Sequence, residues 1–129
     1  MKKKWNVLYY ETKNNICFLE KYIDSQSMRN QAKILNMISL LEENGPILPR
    51  PYADLLTDGI HELRIKLTGN QVRILYFFCY ENFIVLTHNF TKTTDKVPKK
   101  EIRKALKYKE DFLKRYDKKK LEVLLNENI

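Results

Sequence analysis

Glycine, proline and cysteine are scarce in this chain, at 3, 4 and 2 of 129 residues. So few glycines leave no loop rich enough in them to cradle a phosphate, which excludes Walker-type and dinucleotide-binding sites. Cys17 and Cys79 each stand alone in an apolar run, Ile16-Cys17-Phe18 and Phe77-Phe78-Cys79-Tyr80. Without a CxxC pair or a histidine cluster, neither a disulfide framework nor a zinc site is indicated, and both cysteines read as small buried hydrophobes of a reducing compartment. The motifs G-x-S-x-G and H-E-x-x-H are also missing. No apolar run is long enough to span a membrane. The lysines of Met1-Lys2-Lys3-Lys4 look like the start of a secretion signal, but Glu11, Lys13 and Asn14 arrive before an apolar stretch forms. The expectation is a cytoplasmic protein that meets no membrane and needs neither metal nor other cofactor.

What the chain has in excess is positive charge. Its formal net charge is +8, and residues 92–120 alone hold 13 Lys/Arg against 5 Asp/Glu. That segment's excess equals the whole net charge, so the rest of the chain is balanced. A basic end on a small domain points to nucleic acid or an acidic protein partner, although a solvated lysine-rich helix has the same composition. The length suits a single domain over residues 1–129, with one core and the tail 121–129 either helical or frayed.

The stretch from Gly59 to Pro98 organises the fold. In Gly59-Ile60-His61-Glu62-Leu63-Arg64-Ile65-Lys66-Leu67 the apolar Leu63, Ile65 and Leu67 alternate with Glu62, Arg64 and Lys66, the period of a half-buried strand. Gly69-Asn70 marks a hairpin bend. A turn centred there sets Lys66 against Arg73 and Leu67 against Val72, with Leu63, Ile65, Leu67, Val72, Ile74 and Tyr76 on the core face. Arg64, Lys66 and Arg73 then crowd the opposite face, with only Glu62 to offset them. Phe83 to Phe90 supplies another strand and Trp5 to Tyr10 a first one.

Ile16, Leu19, Tyr22 and Ile23 recur at helical spacing. Ser27 is an N-cap for a second helix with Met28, Ala32, Leu35, Ile38 and Leu41 as its stripe, stopped by Gly45-Pro46. This helical pair must cover the sheet. Residues 47–52 form a proline-bearing connector, Leu55 and Leu56 tuck into the core, and Pro98 opens a final helix with Ile102, Ala105, Leu106, Leu113 and Tyr116 inward.

With no ready nucleophile or metal set, charge stabilisation is the chemistry left. Arg64, Arg73 and Lys92 around the sheet, with Lys66 and Lys96 at its margin, suit phosphodiester chemistry in which an RNA 2′-hydroxyl attacks and guanidinium forks hold the phosphate. Each has a bland alternative. Arg64 could pair with Glu62 or Glu81, and Lys92 could be merely solvated. His88, by strand parity with Ile84, Leu86 and Phe90, could be a satisfied half-buried histidine rather than a general base. His61 reads as structural. Tyr52, Tyr76, Tyr80 and Tyr108 could stack on bases or fill the core.

In order along the chain, W-N-V-L-Y-Y, a helical pair ending L-L-E-E-N-G, G-I-H-E-L-R, V-R-I-L-Y-F, V-L-T-H-N-F-T-K-T-T and V-P-K-K-E-I-x-x-A-L resemble the HigB-like, phage-derived branch of the RelE/ParE toxin superfamily, over about residues 5–112. The resemblance implies a RelE-like α+β fold, with an antiparallel sheet of about four strands, an N-terminal helical pair and a C-terminal basic helix. It implies a toxin of a type II toxin–antitoxin system, an mRNA interferase acting on the ribosome, neutralised in a hetero-oligomer by a HigA-like helix-turn-helix antitoxin. Arg64 and Arg73 match the family's phosphate-contacting arginines and Lys92 the first lysine of its F-x-K-K-T pattern; beside this match, Lys66 and His88 are expected in supporting or proton-transfer roles. Lys66, Thr93, Lys96, Lys99 and Lys100 fall to RNA binding. Thr93 replaces the pattern's second lysine, and Val97 stands where a capping Thr often precedes Pro98. The alternatives are a ParE-like inhibitor of DNA gyrase without nuclease activity and a non-catalytic RNA-binding protein.

Overall fold

A computed structural model describes residues 5–127, so Met1–Lys4 of the lysine-rich start and Asn128–Ile129 of the tail lie outside the described residues. The elements run β1 (Asn6–Tyr9), α1 (Phe18–Asp24), α2 (Met28–Asn44), a 3₁₀ turn (Gly45–Ile47), β2 (Ala53–Thr57), β3 (Ile60–Leu67), β4 (Asn70–Cys79), β5 (Phe83–Thr91), α3 (Lys99–Arg115) and α4 (Lys118–Glu127). The α+β class holds. The sheet has five strands rather than about four, in the order β1-β5-β4-β3-β2, and it is mixed, because β1 runs parallel to β5.

The fifth strand is the segment Ala53–Thr57, which pairs antiparallel with β3 from Ala53 opposite Leu63 to Thr57 opposite Ile60. Leu55 there is 58% exposed and only Leu56 packs, against the second core, so the expected burial of both leucines is corrected. The β3–β4 hairpin keeps its predicted faces with a different register. Leu67 opposes Asn70 and Arg64 opposes Arg73, which places the bend at Thr68-Gly69. Sliding the pairing by two residues preserves the side-chain alternation, so Leu63, Ile65, Leu67, Val72, Ile74 and Tyr76 still share the core face.

That face is covered by α1 and α2, as expected of the helical pair. Ser27 caps α2 by accepting from the Asn30 N–H at 3.2 Å. Gly45 ends it at φ +56°, where a Cβ would fall 2.2 Å from Trp5 Nε1. The stripe that α2 buries is Ile34, Met37, Ile38 and Leu41, whereas Met28 and Leu35 face solvent. The expected stripe is therefore rotated by a fraction of a turn.

The other face of the sheet carries α3 and α4. Leu75, Phe77, Phe83 and Val85 pack there against Ala105, Phe112 and Leu121. Leu113 is exposed, and the line toward the sheet is Glu101, Ala105, Tyr108 and Phe112, with Tyr108 stacked on Tyr10 at 4.6 Å. Asp111 accepts from the Tyr10 hydroxyl at 2.6 Å and from Arg115 at 2.8 Å, tying α3 to the chain just after β1. The helix starts at Pro98 without a side-chain cap, as Val97 implies. Residues 118–127 continue as helix rather than fraying.

Candidate functional site

Glu62, Arg64 and Arg73 alternate onto the α3 face at the end of the sheet that α3 only begins to cover. Two arginines directly opposite across a ladder repel each other. Glu62 removes that repulsion by lying between them. Its Oε1 accepts from Arg73 Nε at 3.0 Å and its Oε2 from Arg64 Nε or Nη2 at 3.1 Å. Asp54, opposite Glu62 on β2, adds an oxygen 3.4 Å from Arg64 Nη2 and holds Arg50 at 2.9 Å. Arg50, Asp54, Arg64, Glu62 and Arg73 thus form one chain of alternating charge. Arg73 and Glu62 are buried, and the Arg64 side chain is 30% exposed. Burial pulls the Arg73 pKa down from its usual value, while the Glu62 carboxylate opposes that shift.

The pairing of Arg64 with Glu62 is found as expected, and the expected facing of Arg73 and Lys66 is corrected. Arg73 faces Arg64 rather than Lys66, and both arginines share Glu62. Asp54 escaped the sequence reading because its segment was not recognised as a strand; an acid just before the Asp58-Gly59 turn, within reach of Arg64 across a hairpin, was the available signal. Glu81, the other proposed partner of Arg64, pairs with Lys118 at 3.0 Å instead.

Two cavities meet at Arg64. One, of about 370 Å³, is lined by Lys33 and Met37 of α2, Pro51 and Tyr52 of the connector, and Arg64, Ile65, Lys66, Gln71 and Arg73 of the hairpin. Four of these nine residues are cations and none is an acid. The other, of about 330 Å³, lies between β2 and the linker into α3, with Lys92 and Lys96 facing Asp54, Glu62 and Asp95. Its charge is mixed. The Lys92 N–H donates to Gln71 O at 2.8 Å, which holds the start of the linker on β4.

The predicted residues thus separate. Arg64, Arg73 and Lys66 line the first cavity, and Arg64, Lys92 and Lys96 the second. Thr93, Lys99 and Lys100 are exposed and line neither.

His88 is not at either cavity. A register shift between Leu75 and Tyr76 places His88 opposite Leu75 and Phe90 opposite Arg73, so neither shares the face of Ile84 and Leu86 as strand parity implied. The bulge turns His88 under α3. It is buried, with Nε2 3.0 Å from Glu101 Oε1 and Nδ1 3.0 Å from the Thr87 hydroxyl. Burial pushes its pKa below the ordinary value against the pull of Glu101. These contacts are those of a satisfied core histidine that seats the first turn of α3. His61 stacks on Tyr76 at 5.2 Å and is likewise held below its ordinary pKa by burial.

Among the tyrosines proposed to stack on bases, Tyr76 is buried and the Tyr80 hydroxyl donates to Tyr116 O at 2.7 Å. Tyr108 lies against Tyr10 and His88. Only Tyr52, 43% exposed, borders a cationic cavity.

The network thus sets two fixed guanidinium groups of a small α+β domain beside a cleft whose lining residues include four cations and no acid. The domain's lineage is more specific. Residues 21–110 match the phage-derived Gp49-like family, and the chain belongs to that family. The matched segment begins inside α1 and ends inside α3, and so contains every residue of the arginine network. No curated protein matches the chain significantly. No helix among the described residues is long and apolar enough to cross a membrane.

Proposed function

We propose that this protein is the toxin of a type II toxin–antitoxin system, an endoribonuclease of HigB type that cuts mRNA during translation. The observation that carries the reading is the Arg64–Glu62–Arg73 bridge beside the acid-free cleft. In the proposed reaction the RNA's own 2′-hydroxyl attacks the adjacent phosphorus and the 5′-oxygen of the next nucleotide leaves. The products are a 2′,3′-cyclic phosphate and a 5′-hydroxyl. Negative charge builds on the non-bridging oxygens, and Arg64, partly exposed and lining both cavities, is the group that receives it. Arg73 backs it from within the sheet, Lys66 lies beside Arg64 in the same cavity, and Lys92 in the second cavity holds a flanking phosphate. His88 has a structural part in this scheme. Lys96, Lys99, Lys100 and the outer face of α3 offer a basic surface for ribosomal RNA, and the same charge suits an acidic segment of a helix-turn-helix antitoxin.

The test is mapping of RNA ends after brief induction of wild type, Arg64→Ala and Arg73→Lys. Arg64→Ala leaves Glu62 paired with Arg73, so the fold stands. Cuts inside reading frames that fall about 10²- to 10³-fold in Arg64→Ala support the nuclease. Growth arrest with gyrase-dependent DNA damage and no new RNA ends would replace it with a ParE-like inhibitor.

A further inference from the structure

We infer that the acid-free cavity beside Tyr52 is a subsite for one unstacked nucleotide of single-stranded RNA, with the base on the Tyr52 ring and the phosphate between Lys33, Lys66 and Arg64. The inference rests on the proposed function only in identifying Arg64's ligand as the scissile phosphate. Its basis is a combination that neither a bare anion nor a duplex explains. The cavity gathers cations from two separate elements, α2 and the hairpin, and places no carboxylate among them. A patch for inorganic anions needs no ring, yet Tyr52 stands 43% exposed at this rim. Its position is fixed, because its carbonyl accepts the Arg64 N–H at 2.8 Å and its own N–H donates to Pro49 O at 3.0 Å.

The ring and the guanidinium therefore belong to adjoining backbones. Both side chains line the same cavity, so a nucleotide held there by Arg64 shares that space with the ring. At about 370 Å³ the space lies near the lower end of ordinary ligand sites, roughly 300–1,000 Å³, and suits one nucleotide rather than a helix. Gln71, also at the rim, carries both an amide donor and a carbonyl acceptor, the groups that read a base edge. Since stacking needs an open π-face, the ligand is a splayed single strand.

The experiment is titration of the full-length protein with a 2′-O-methyl trinucleotide, which has no free 2′-hydroxyl and cannot be cut. Tyr52→Ala is expected to weaken binding about 5- to 150-fold, the measured range for loss of one base–aromatic stack, while Tyr52→Phe restores it. Displacement of the trinucleotide by inorganic phosphate should persist in Tyr52→Ala. Lys33→Gln and Lys66→Gln should each lower the slope of log K against log salt by about 0.7. Both positions are exposed, so folding is not at stake. Equal affinity of Tyr52→Ala and wild type, with loss on Lys104→Gln or Lys107→Gln, would overturn the subsite and put the strand on the outer face of α3. Absence of binding by wild type would overturn it as well. Tyr52-dependent binding without any RNA cleavage would keep the subsite and reject the nuclease. Arg64-dependent cleavage indifferent to Tyr52 and Lys33 would do the reverse.

Discussion

Removing the Glu62 charge tests whether one buried carboxylate holds two arginines side by side. The Glu62 and Arg73 side chains are only 4% and 7% exposed, so their contact at 3.0 Å is shielded from water. Unit charges about 4 Å apart attract by about 4 kcal/mol at an effective dielectric of about 20, and breaking a buried pair from one side costs about 3–5 kcal/mol. In Glu62→Gln the amide oxygen can still accept from one arginine, but its NH₂ group then faces the other donor. Arg73 is left buried and unpaired, opposite Arg64. We expect a loss of about 3 kcal/mol.

Replacing both members with apolar residues of similar volume, Glu62→Leu with Arg73→Met, removes the stranded charge. Such replacements are close to neutral or stabilising. The double variant should return to within about 1 kcal/mol of wild type, for a coupling of about 2–4 kcal/mol. Urea denaturation of wild type, Glu62→Gln, the singles Glu62→Leu and Arg73→Met, and the double variant gives each value from the midpoint at constant slope. A cost below about 1 kcal/mol for Glu62→Gln, or a double variant no better than the sum of the singles, would refute the buried bridge.

Gly45→Ala should cost about 2–4 kcal/mol in the same assay, because it combines positive φ with a Cβ 2.2 Å from the Trp5 indole; a neutral result would mean that Trp5 does not pack there. As pH falls below about 6.5, stability should fall. Burial sets the folded pKa of His61 below its ordinary value of about 6.5, so the unfolded chain takes up the proton first, and the stability present above about pH 6.5 is lost as pH falls toward the folded pKa. Thermal melts of His61→Phe should show a shallower dependence, the remainder belonging to His88, whose shift has the same sign. Tyr10→Phe should cost about 1 kcal/mol through the lost bond to Asp111 and flatten the acid limb below about pH 3.8, where a carboxyl held below its usual range loses its contribution as it protonates.

The hairpin was legible because a period of two states its own faces, and those faces survive a register error of two residues. Arg64 and Arg73 were therefore assigned to the correct side of the sheet with the wrong residue opposite each. Strand β2 was hidden by its composition. Ala53-Asp54-Leu55-Leu56-Thr57 does not alternate cleanly, because at an edge an outward leucine such as Leu55 costs little. The parallel pairing of β1 with β5 joins segments more than seventy residues apart, and nothing local encodes it. At His88 parity failed for a physical reason: the bulge inserts one residue, and every later side chain of the strand changes face. No glycine or proline marks that point, so the sequence carries no sign of it.

The arrangement of Glu62 also bears on how such a site would act. Two guanidinium groups free to move would separate in the empty protein and need to be drawn together as the transition state forms, which would consume binding energy. Here Arg64 and Arg73 are held on opposite oxygens of a carboxylate that the sheet itself positions, so their repulsion is offset during folding. A phosphate reaching Arg64 meets a guanidinium already held in place and a cleft already free of carboxylates among its lining residues. The bridge has a cost, because Glu62 draws Nε of both arginines, and with Asp54 also Nη2 of Arg64, away from the ligand and partly neutralises them. Arg64, with its greater exposure and a place on both cavities, retains the capacity to bind, whereas Arg73 is committed to the sheet. Substitution at Arg64 should therefore act on function with little loss of stability, and substitution at Arg73 on both. That split, read by denaturation beside RNA mapping on the same variants, separates the residue that meets the phosphate from the residue that positions it.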